Sequence, residues 1–427
     1  MSTLRTVLLV AFHFPPVMGS SGVQRTLRFA QYLPRYGWRP IVLTIDERAY
    51  EAVSGSVGNE IPGELEVHRA FGVDAARSLS VFGRYPRALS LPDRWGTWRI
   101  WAVRKALRIL RTARIDAIWS TFPIATAHRI ALDLVRRTAL PWVAEFRDPM
   151  WQGDYPADTR VNRVWRELEQ LVFSHAQRVI VVTPGSASLY AERFPDFGRS
   201  RIALIENGYD EDTFVRAEAA AGTSTQARRL PEGPLVLLHS GLVYPSERDP
   251  TQFFEAIGSL KRSGRISAER LQIVLRASGS ESIYARRLEA LGISDIVRLA
   301  PALAYLSAVR EMLTVDGLLI LQASNCNAQV PAKLYEYLRA GRPILALTDP
   351  AGDTARTLQN AGSGLIAALD STSEIEDALL RFLETIRSGT WQRANPAVVA
   401  RYSRLALTEE LAQRLEESLG SRARLHA

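Results

Sequence analysis

Short apolar runs alternate with amphipathic stretches along most of the 427-residue chain. Continuous apolar runs of roughly four to eight residues predict strands buried on both faces, and the helical periodicity between them predicts helices. Such runs begin near residues 4, 40, 116, 141 and 178 in the first half, and near residues 234, 271, 297, 317 and 343 in the second. The alternation in two successive halves predicts an α/β protein of two Rossmann-like, doubly wound domains facing across a cleft.

One strand–loop–helix–strand unit, residues 317–347, carries a concentration of polar side chains. Its apolar run at 317–321 predicts a strand, a helix is predicted to begin at Pro331, and Gly341 is placed to end that helix in a left-handed cap. In an open parallel sheet, the loop after a strand and the following helix start line the ligand crevice. A helix start also offers unpaired N–H groups, which suit a phosphate.

Lys333 and Glu336 lie on one face of this predicted helix, while Leu334 and Leu338 can pack on the other side. Two interpretations fit the spacing. The pair is either an exposed ion pair worth about 0.2–0.5 kcal/mol, or part of a ligand site. The spacing alone does not choose between them.

The bulk composition is that of a globular protein, with 47% apolar and 23% charged residues. No apolar run reaches the roughly 18–20 residues of a membrane span, and the run at 7–12 is too short for a signal sequence. The single cysteine, Cys326, excludes an intrachain disulfide and fits a reducing compartment. We therefore expect a cytoplasmic protein in which Cys326 is a bystander.

The net charge of +8 is carried almost wholly by arginine, since the only lysines are Lys105, Lys261 and Lys333. Residues 77–114 hold nine arginines and one lysine, together with Trp95, Trp98 and Trp101. No nucleic-acid-binding motif occurs in the chain, so nucleic acid is not an expected partner.

A helix is predicted from Trp98 to Leu110, with apolar residues on two neighbouring stripes, one of which includes Ile100 and Val103. Two alternatives remain open for this helix. Its apolar side either packs on the domain, or lies on an anionic membrane with arginine and tryptophan at the headgroups. In the second case the protein is peripheral on the inner face of the cytoplasmic membrane.

Two polar strings follow predicted strands in the first half. Residues 13–22 lead from the first strand into a helix, and Gly19 and Gly22 let the backbone approach a ligand closely. The strand at 141–146 ends in Arg147 and Asp148, which either pin a loop together or face the crevice.

These motifs resemble the retaining GT-B glycosyltransferases of family 4, which act in bacterial polysaccharide and lipopolysaccharide synthesis. The resemblance covers nearly the whole chain and is strongest at 12–25, 141–151, 206–210, 241–250 and 331–345. It implies the GT-B fold, with an N-terminal acceptor domain at 1–210, a C-terminal donor domain at 211–395, and a helix at 396–427 that returns to the first domain.

For the donor, a nucleoside-diphosphate sugar, the resemblance assigns Glu336 to the ribose hydroxyls. Lys333, Arg248 and Gly241 are then expected at the diphosphate, where Lys333 and Arg248 are catalytic because they stabilise charge on the leaving group. The family's first glutamate is replaced here by Ala328. Its contact to the sugar is absent or comes from another side chain, for which the candidates are Asn325, Asn327 and Gln329.

For the acceptor, the resemblance places residues of the first domain near the reaction. Gly19 and Gly22 correspond to a glycine loop lying against donor phosphate and acceptor. Asp148 is expected to bind the acceptor hydroxyl as a catalytic residue, with His13, Arg147 and His128 as further acceptor-binding candidates. His128, within a predicted helix, has the alternative of a purely structural role.

The expected function is retaining transfer of a sugar from a nucleoside-diphosphate sugar to a glycan or lipid-linked acceptor. No metal and no other cofactor is expected, and the string from Asp210 to Asp212 is discounted as a metal motif because it falls at the predicted interdomain turn. Two alternatives stay open, namely a nucleotide-sugar 2-epimerase on the same fold and a non-catalytic glycan-binding or scaffold subunit.

Overall fold

The computed structural model describes residues 4–17, 21–58, 60–79, 90–153, 155–221 and 233–425. The chain divides into two compact units. The first unit comprises residues 1–207 and 404–427, and the second comprises residues 208–403. The division at 207/208 falls inside the predicted hinge at 206–210.

The first unit is built on a seven-stranded parallel sheet with the order β3-β2-β1-β4-β5-β6-β7. The strands are β1 Arg5–Val10, β2 Trp38–Ile45, β3 Glu66–Ala70, β4 Ala117–Phe122, β5 Trp142–Phe146, β6 Arg178–Val181 and β7 Ile202–Leu204. The central strands β4 and β5 are buried along their whole length, which explains why most of their residues are apolar.

Helices cover both faces of this sheet and connect its strands. They are α1 Ser21–Tyr32, α2 Gly55–Gly58, α3 Ala75–Ser78, α4 Trp98–Thr112, α5 Ala125–Thr138, α6 Thr159–His175 and α7 Pro184–Arg193. One core cluster includes α4 and α5, and the other includes α1.

The second unit has a six-stranded parallel sheet with the order β10-β9-β8-β11-β12-β13. Its strands are β8 Leu235–Ser240, β9 Leu271–Arg276, β10 Val297–Ala300, β11 Gly317–Gln322, β12 Ile344–Thr348 and β13 Leu365–Ala367. Its helices are α8 Glu211–Ala221, α9 Thr251–Arg262, α10 Glu281–Ala290, α11 Tyr305–Thr314, α12 Lys333–Ala340, α13 Asp353–Ala361, α14 Thr372–Ser388 and α15 Pro396–Arg401.

The last helix, α16 Arg404–Leu425, belongs to the first unit. Leu407, Leu411 and Leu415 recur at a spacing of four residues and are buried in the same core cluster as Leu27 of α1. The C-terminal helix therefore returns to the first domain as predicted. The return begins at residue 404, whereas the segment predicted for it began at 396 and includes α15 of the second unit.

The prediction of two Rossmann-like α/β domains is confirmed. One local prediction needs correction. The helix predicted from Pro331 begins at Lys333, with Ala332 as the N-cap residue, and Gly341 does end it in the left-handed conformation at φ 63°.

Candidate functional site

The strand order of the second unit reverses between β8 and β11, which are hydrogen-bonded neighbours. In open parallel sheets, ligands bind outside the carboxyl ends of the strands at such a switch point. The carboxyl ends here are Ser240 and Gln322, and the loops that follow them carry the polar residues singled out in the sequence. We call this region the second switch point.

Lys333 reaches the second switch point from the first residue of α12. Its Nζ lies 2.8 Å from Nε2 of His239, whose Nδ1 lies 3.0 Å from the carbonyl oxygen of Leu319 on β11. Since a carbonyl only accepts, Nδ1 carries the proton and Nε2 accepts a hydrogen bond from Lys333. His239 was not singled out in the sequence, where it reads as part of an apolar strand.

Both members of this pair have lowered pKa values. Burial of the imidazole, followed by the charge of Lys333, holds the pKa of His239 well below its usual value. Burial also lowers the pKa of Lys333 well below its usual value; Arg248 adds to this effect and Glu336 opposes it. Burial is the main cause of both shifts, because it disfavours the charged form of each group.

Gly241 ends β8 with φ at 106°, a conformation that L side chains rarely adopt. A Cβ built at Gly241 would lie 3.3 Å from Nζ of Lys333. The glycine therefore serves two purposes, because it allows the backbone turn and leaves space for the lysine amine.

Arg248 lies in the loop after β8, with Nη1 donating to the carbonyl oxygen of Leu242 at 2.9 Å. Its Nε lies 3.4 Å from Oε1 of Gln322, and its guanidinium lies 5.2 Å from the centre of the Tyr244 ring. The same loop is tied to the chain after β11, since Asn325 Nδ2 donates to the Ser246 carbonyl oxygen at 2.8 Å. Asn325 thus holds the loop that carries Arg248.

Glu336 lies one turn after Lys333, and its Oε1 accepts a hydrogen bond from the Tyr305 hydroxyl at 2.8 Å. Both Lys333 and Glu336 are partly buried, and each is bonded to a side chain of another element. The alternative of an exposed Lys–Glu pair is therefore wrong. The prediction that Leu334 and Leu338 pack on the opposite side is confirmed, because both are buried.

The side chains proposed to replace the missing glutamate have different surroundings. Asn327 donates from Nδ2 to Asp349 at 2.6 Å, and its Oδ1 is buried without a hydrogen-bond partner. The hydrogen bond from Asn327 lowers the pKa of Asp349. The backbone of Gln329 is held by Thr354, whose hydroxyl donates to the Gln329 carbonyl oxygen at 3.0 Å.

The first unit has its own reversal of strand order, between β1 and β4, which we call the first switch point. Arg147 follows β5 and donates from Nε to the carbonyl oxygen of Phe122 at 2.8 Å, and its Nη2 lies 3.0 Å from Nδ1 of His13. Burial and the charge of Arg147 lower the pKa of His13 to about 3. The structure therefore brings His13 and Arg147 together, and Arg147 ties the loops after β1 and β4 to the end of β5.

Gly22 lies in the first turn of α1, directly beside Arg147. A Cβ built at Gly22 would overlap the guanidinium of Arg147. Gly22 therefore permits a close approach of the helix to this cation. Gly19, the other glycine predicted to lie near the donor, is outside the described residues.

The two remaining acceptor candidates differ sharply in exposure. Asp148 is exposed beside Arg147. His128 is completely buried, with Nδ1 2.7 Å from the Ser120 hydroxyl and its ring centre 4.8 Å from that of Phe146. Burial lowers the pKa of His128 to about 3. A side chain with no exposed surface cannot contact an acceptor, so we leave His128 out of the acceptor site and assign it to the core.

A buried ion pair lies behind the first switch point and was missed in the sequence. Arg25 of α1 donates from Nε and Nη2 to Oε1 of Glu145 at 3.0 and 2.7 Å, and both side chains are almost fully buried. Arg25 also donates to the carbonyl oxygens of Ile205 and Glu206, just before the division between the units. The one available signal was a glutamate inside an otherwise apolar strand.

Asp210 has a structural role that its sequence motif did not reveal. Its Oδ2 accepts hydrogen bonds from the backbone N–H and the hydroxyl of Thr213, at 3.1 and 2.6 Å, in the first turn of α8. This is the geometry of a helix N-cap. Within the described ranges, no group of three or more His, Cys, Asp and Glu side chains is arranged to hold a metal ion.

The helix α4 presents two faces. Trp98, Ala102, Val103, Ala106 and Ile109 are buried in the core. Ile100 and Trp101 are 56% and 45% exposed, so the predicted stripe that grouped Ile100 with Val103 is wrong. Phe71, 46% exposed, packs edge-on against Trp101, and Arg104 lies over the same ring.

We call Phe71, Ile100, Trp101, Arg104, Arg108 and Arg111 the α4 face, and all six are exposed. Residues 80–89, which belong to the basic segment at 77–114, are outside the described residues. None of the helices in the described part of the chain has the length and apolar composition needed to span a bilayer.

Residues 21–208 match the family model of the glycosyl transferase 4-like domain. No curated protein matches the chain. Among solved structures, the chain is similar to HepE of Anabaena in complex with UDP and glucose, with a TM-score of 0.62, 14% identity, and coverage of 97% of this chain and 99% of that one.

The chain is also similar to the lipopolysaccharide outer core galactosyltransferase WaaB in its apo form, with a TM-score of 0.59, 13% identity, and coverage of 98% of this chain and 99% of that one. A third similar structure is a Listeria monocytogenes protein described as a UDP-N-acetylglucosamine 2-epimerase. Its TM-score is 0.57, its identity 12%, and the match covers 97% of this chain and 96% of that one. Identities this low show the fold alone. The chain has the GT-B fold of two Rossmann-like domains, and its residues 21–208 match a glycosyl transferase 4-like domain.

Proposed function

We propose that the protein is a glycosyltransferase that uses a nucleoside-diphosphate sugar. The observation that carries this proposal is the lysine amine at the second switch point. Lys333 is held by His239, lies above a glycine without a side chain, and has Glu336 one turn further along the same helix. A cation and a carboxylate at this spacing suit a diphosphate and a ribose, respectively.

In this proposal, the carboxylate of Glu336 accepts hydrogen bonds from the ribose hydroxyls, and the Tyr305 hydroxyl keeps it in place. Lys333 and Arg248 bind the diphosphate beside Gly241. Arg248 offers a planar guanidinium, which grips phosphate oxygens in pairs, and Lys333 offers a compact ammonium. Asn327 lies in the loop before the helix and is the proposed contact to the sugar.

The difficult step is breakage of the bond to the diphosphate, because negative charge then develops on the leaving group. Fixed cations near that charge stabilise the transition state more than the ground state, and such stabilisation is usually the largest contribution in sites of this kind. We propose that Lys333 and Arg248 supply it without a metal ion. Transfer that persists in excess EDTA would support this, whereas transfer lost to EDTA and restored by Mg²⁺ or Mn²⁺ would overturn it.

The acceptor is proposed to bind at the first switch point. Asp148, exposed beside Arg147, is the proposed partner of the acceptor hydroxyl, and Arg147 and His13 line the same place. The finer features proposed from the family resemblance are retention of the anomeric configuration and a glycan or lipid-linked acceptor in bacterial cell-surface or exopolysaccharide synthesis. HepE was solved with UDP and glucose, and WaaB is described as a lipopolysaccharide outer core galactosyltransferase. These neighbours make UDP-sugars the first donors to test.

A lipid-linked acceptor also accounts for the α4 face, which combines exposed aromatic and aliphatic side chains with three arginines. We propose that this face lies on an anionic membrane, with the apolar side chains in the headgroup region. Wild-type protein should float with anionic liposomes at low salt, and replacement of Arg104, Arg108 and Arg111 by Gln should weaken flotation. Circular dichroism would confirm that the variant is folded. Wild-type protein that never floats would refute this part of the proposal.

The test of the main proposal is incubation of the protein with labelled UDP-, GDP- and dTDP-sugars and a lipid-linked acceptor. Transfer of label to the acceptor supports the glycosyltransferase. Epimerised sugar would instead identify a nucleotide-sugar 2-epimerase, the second candidate, which the fold similarity to the Listeria protein makes worth testing. Donor binding with neither product would indicate a non-catalytic subunit.

A further inference from the structure

The histidine behind Lys333 has no role in the proposed chemistry so far, yet its position is unusual. His239 lies at the carboxyl end of β8 and is completely buried. Its two ring nitrogens connect the two strands of the switch point to the helix, because Nδ1 bonds to Leu319 on β11 and Nε2 to Lys333 on α12. The imidazole thus lies between the sheet and the lysine amine and is hydrogen-bonded to both.

The bond to Leu319 determines which way the imidazole can interact. With its proton on Nδ1, the ring presents only a lone pair to Lys333, so the lysine must donate. A protonated ring would bring two donors face to face, which burial and the neighbouring ammonium both disfavour. The neutral ring therefore acts as a fixed acceptor for one lysine hydrogen.

A lysine side chain has four rotatable bonds and loses much rotamer freedom when it is held in one geometry. Because the acceptor is part of the sheet, the lysine loses this rotamer freedom when the protein folds, before any ligand binds. The hydrogen bond to His239 leaves two hydrogens of the ammonium for phosphate oxygens, in the space that Gly241 keeps open. We infer that His239 is a positioning residue, which orients the Lys333 ammonium for the diphosphate of the donor. This inference rests on the proposed function.

The charged and titratable groups around Lys333 come from three directions. His239 faces it from β8, Arg248 from the loop after β8, and Glu336 from α12 itself. Tyr337, also on α12, is held through its hydroxyl by the backbone N–H of Ser240 at 2.8 Å. Replacing His239 removes the hydrogen-bond acceptor and leaves the others in place, so the effect on Lys333 can be read by itself.

The first experiment needs no donor. Because the chain has three lysines, protein labelled with ¹³C and ¹⁵N in lysine gives few side-chain signals, and the loss of one in Lys333→Ala assigns Lys333. His239→Leu removes the acceptor while filling most of the space. The ammonium then loses its hydrogen bond, so the titration midpoint of Lys333 should move to lower pH, and His239→Gln, which retains an acceptor oxygen, should restore part of the shift.

His128→Leu is the matched control, because it also removes a fully buried imidazole but lies in the other unit. It should lower stability without moving the Lys333 signal. A His239→Leu protein in which Lys333 titrates as in wild type would overturn the inference.

The second experiment uses the donor on which wild-type protein is active. His239→Leu should lower kcat roughly 10- to 100-fold, as expected for misplacement of a catalytic group by about an ångström, with little change in the KM for donor. In a Lys333→Ala background, the same substitution should change kcat less than about twofold, because there is no lysine left to position. An equal loss in both backgrounds would mean that His239 is only structural.

The two experiments separate the possible failures. If no donor supports transfer by wild-type protein, the proposed function fails, while the lysine titration still decides whether His239 orients Lys333. If transfer occurs and His239→Leu is neutral in both experiments, the proposed function stands and the positioning role is refuted.

Discussion

The two switch points use the same pair of side-chain types in different ways. At each one, a histidine from the first strand of the sheet, or from the loop just after it, contacts a cationic side chain from a later element. In the first unit the pair is His13 and Arg147, and in the second it is His239 and Lys333. Both histidines have lowered pKa values, for the same two reasons of burial and a neighbouring positive charge.

The difference lies in the cation. Arg147 stays charged, and its planar guanidinium is hydrogen-bonded to two protein partners, the Phe122 carbonyl oxygen and His13. Lys333 is hydrogen-bonded to His239 and lies beside Gly241, which has no side chain. Its ammonium can lose a proton because burial and Arg248 lower its pKa. Arg147 therefore holds loops together, whereas Lys333 is suited to bind an anionic ligand.

The largest expected effect is on kcat at the second switch point. Lys333→Ala should lower kcat by about 10²–10³, as for loss of one oxyanion donor, and Arg248→Ala should act in the same direction. Lys333→Arg should not restore activity, because a planar guanidinium does not present its hydrogens in the geometry of a compact ammonium. Steady-state kinetics measure these effects. The control is Lys261→Ala, which removes a partly exposed lysine paired with Asp295. Near-wild-type kcat in all the variants would remove this region from the active site.

A smaller effect is expected for the donor carboxylate. If Glu336 holds the ribose, the contact exists in ground and transition states alike, so Glu336→Gln should raise the KM for donor. Loss of hydrogen bonds to a charged group is worth roughly 1.5–3 kcal/mol, which corresponds to an increase of about 10- to 100-fold, with kcat falling less. Glu289→Gln, on an exposed position of α10, is the control. A loss confined to kcat would contradict the ribose assignment.

The two glycines provide a comparison on stability. Gly241→Ala places a side chain at φ 106° and should cost about 1–2 kcal/mol, which Lys333→Ala should not relieve because the strain is in the backbone. Gly22→Ala instead forces the guanidinium of Arg147 aside, at a cost of about 1–3 kcal/mol from its lost hydrogen bonds.

Urea unfolding measures both glycine substitutions, and Gly63→Ala, where a Cβ would meet no neighbour, is the control. Combining Gly22→Ala with Arg147→Ala should cost no more than Arg147→Ala alone, since the clash then has no partner. Additive losses would show that Gly22 is needed for another reason.

The last prediction concerns pH. His13 and His128 have pKa values of about 3 in the folded first unit, against an ordinary value of 6.5. Between these pH values the unfolded chain binds more protons, so the free energy of unfolding should fall as pH drops from 6.5 towards 3. The slope is at most about 1.4 kcal/mol per pH unit for each histidine. Asp93 and Glu169, whose pKa values are raised by burial, act in the opposite sense.

Tryptophan fluorescence can follow this transition in the first unit, because eight of the nine tryptophans lie in residues 1–207. His128→Gln should reduce the slope below pH 6.5 relative to wild type. An unchanged slope would mean that His128 takes up a proton in the folded protein.

Much of the fold and part of the site followed from the sequence, because they depend on local chemistry. Apolar runs separated by helical periodicity required buried parallel strands, and Gly341 ended its helix because only a residue tolerant of positive φ fits there. Lys333 and Glu336 drew attention because the helix start after a parallel strand lines the ligand crevice, whereas Gly241 and Arg248 were proposed from the family resemblance.

Other features were decided by tertiary structure alone. His239, Glu145 and Arg25 lie in or beside apolar segments. The partners described above for them are between 80 and 181 residues away in the chain, so no local pattern connects them. The same is true of His128, whose burial comes from rings on β4 and β5. Sequence by itself determined where polar chemistry meets the ends of strands. Which of those side chains face a ligand, and which satisfy one another in the core, depended on packing between elements that are distant in sequence, because burial changes a polar group from solvated to paired.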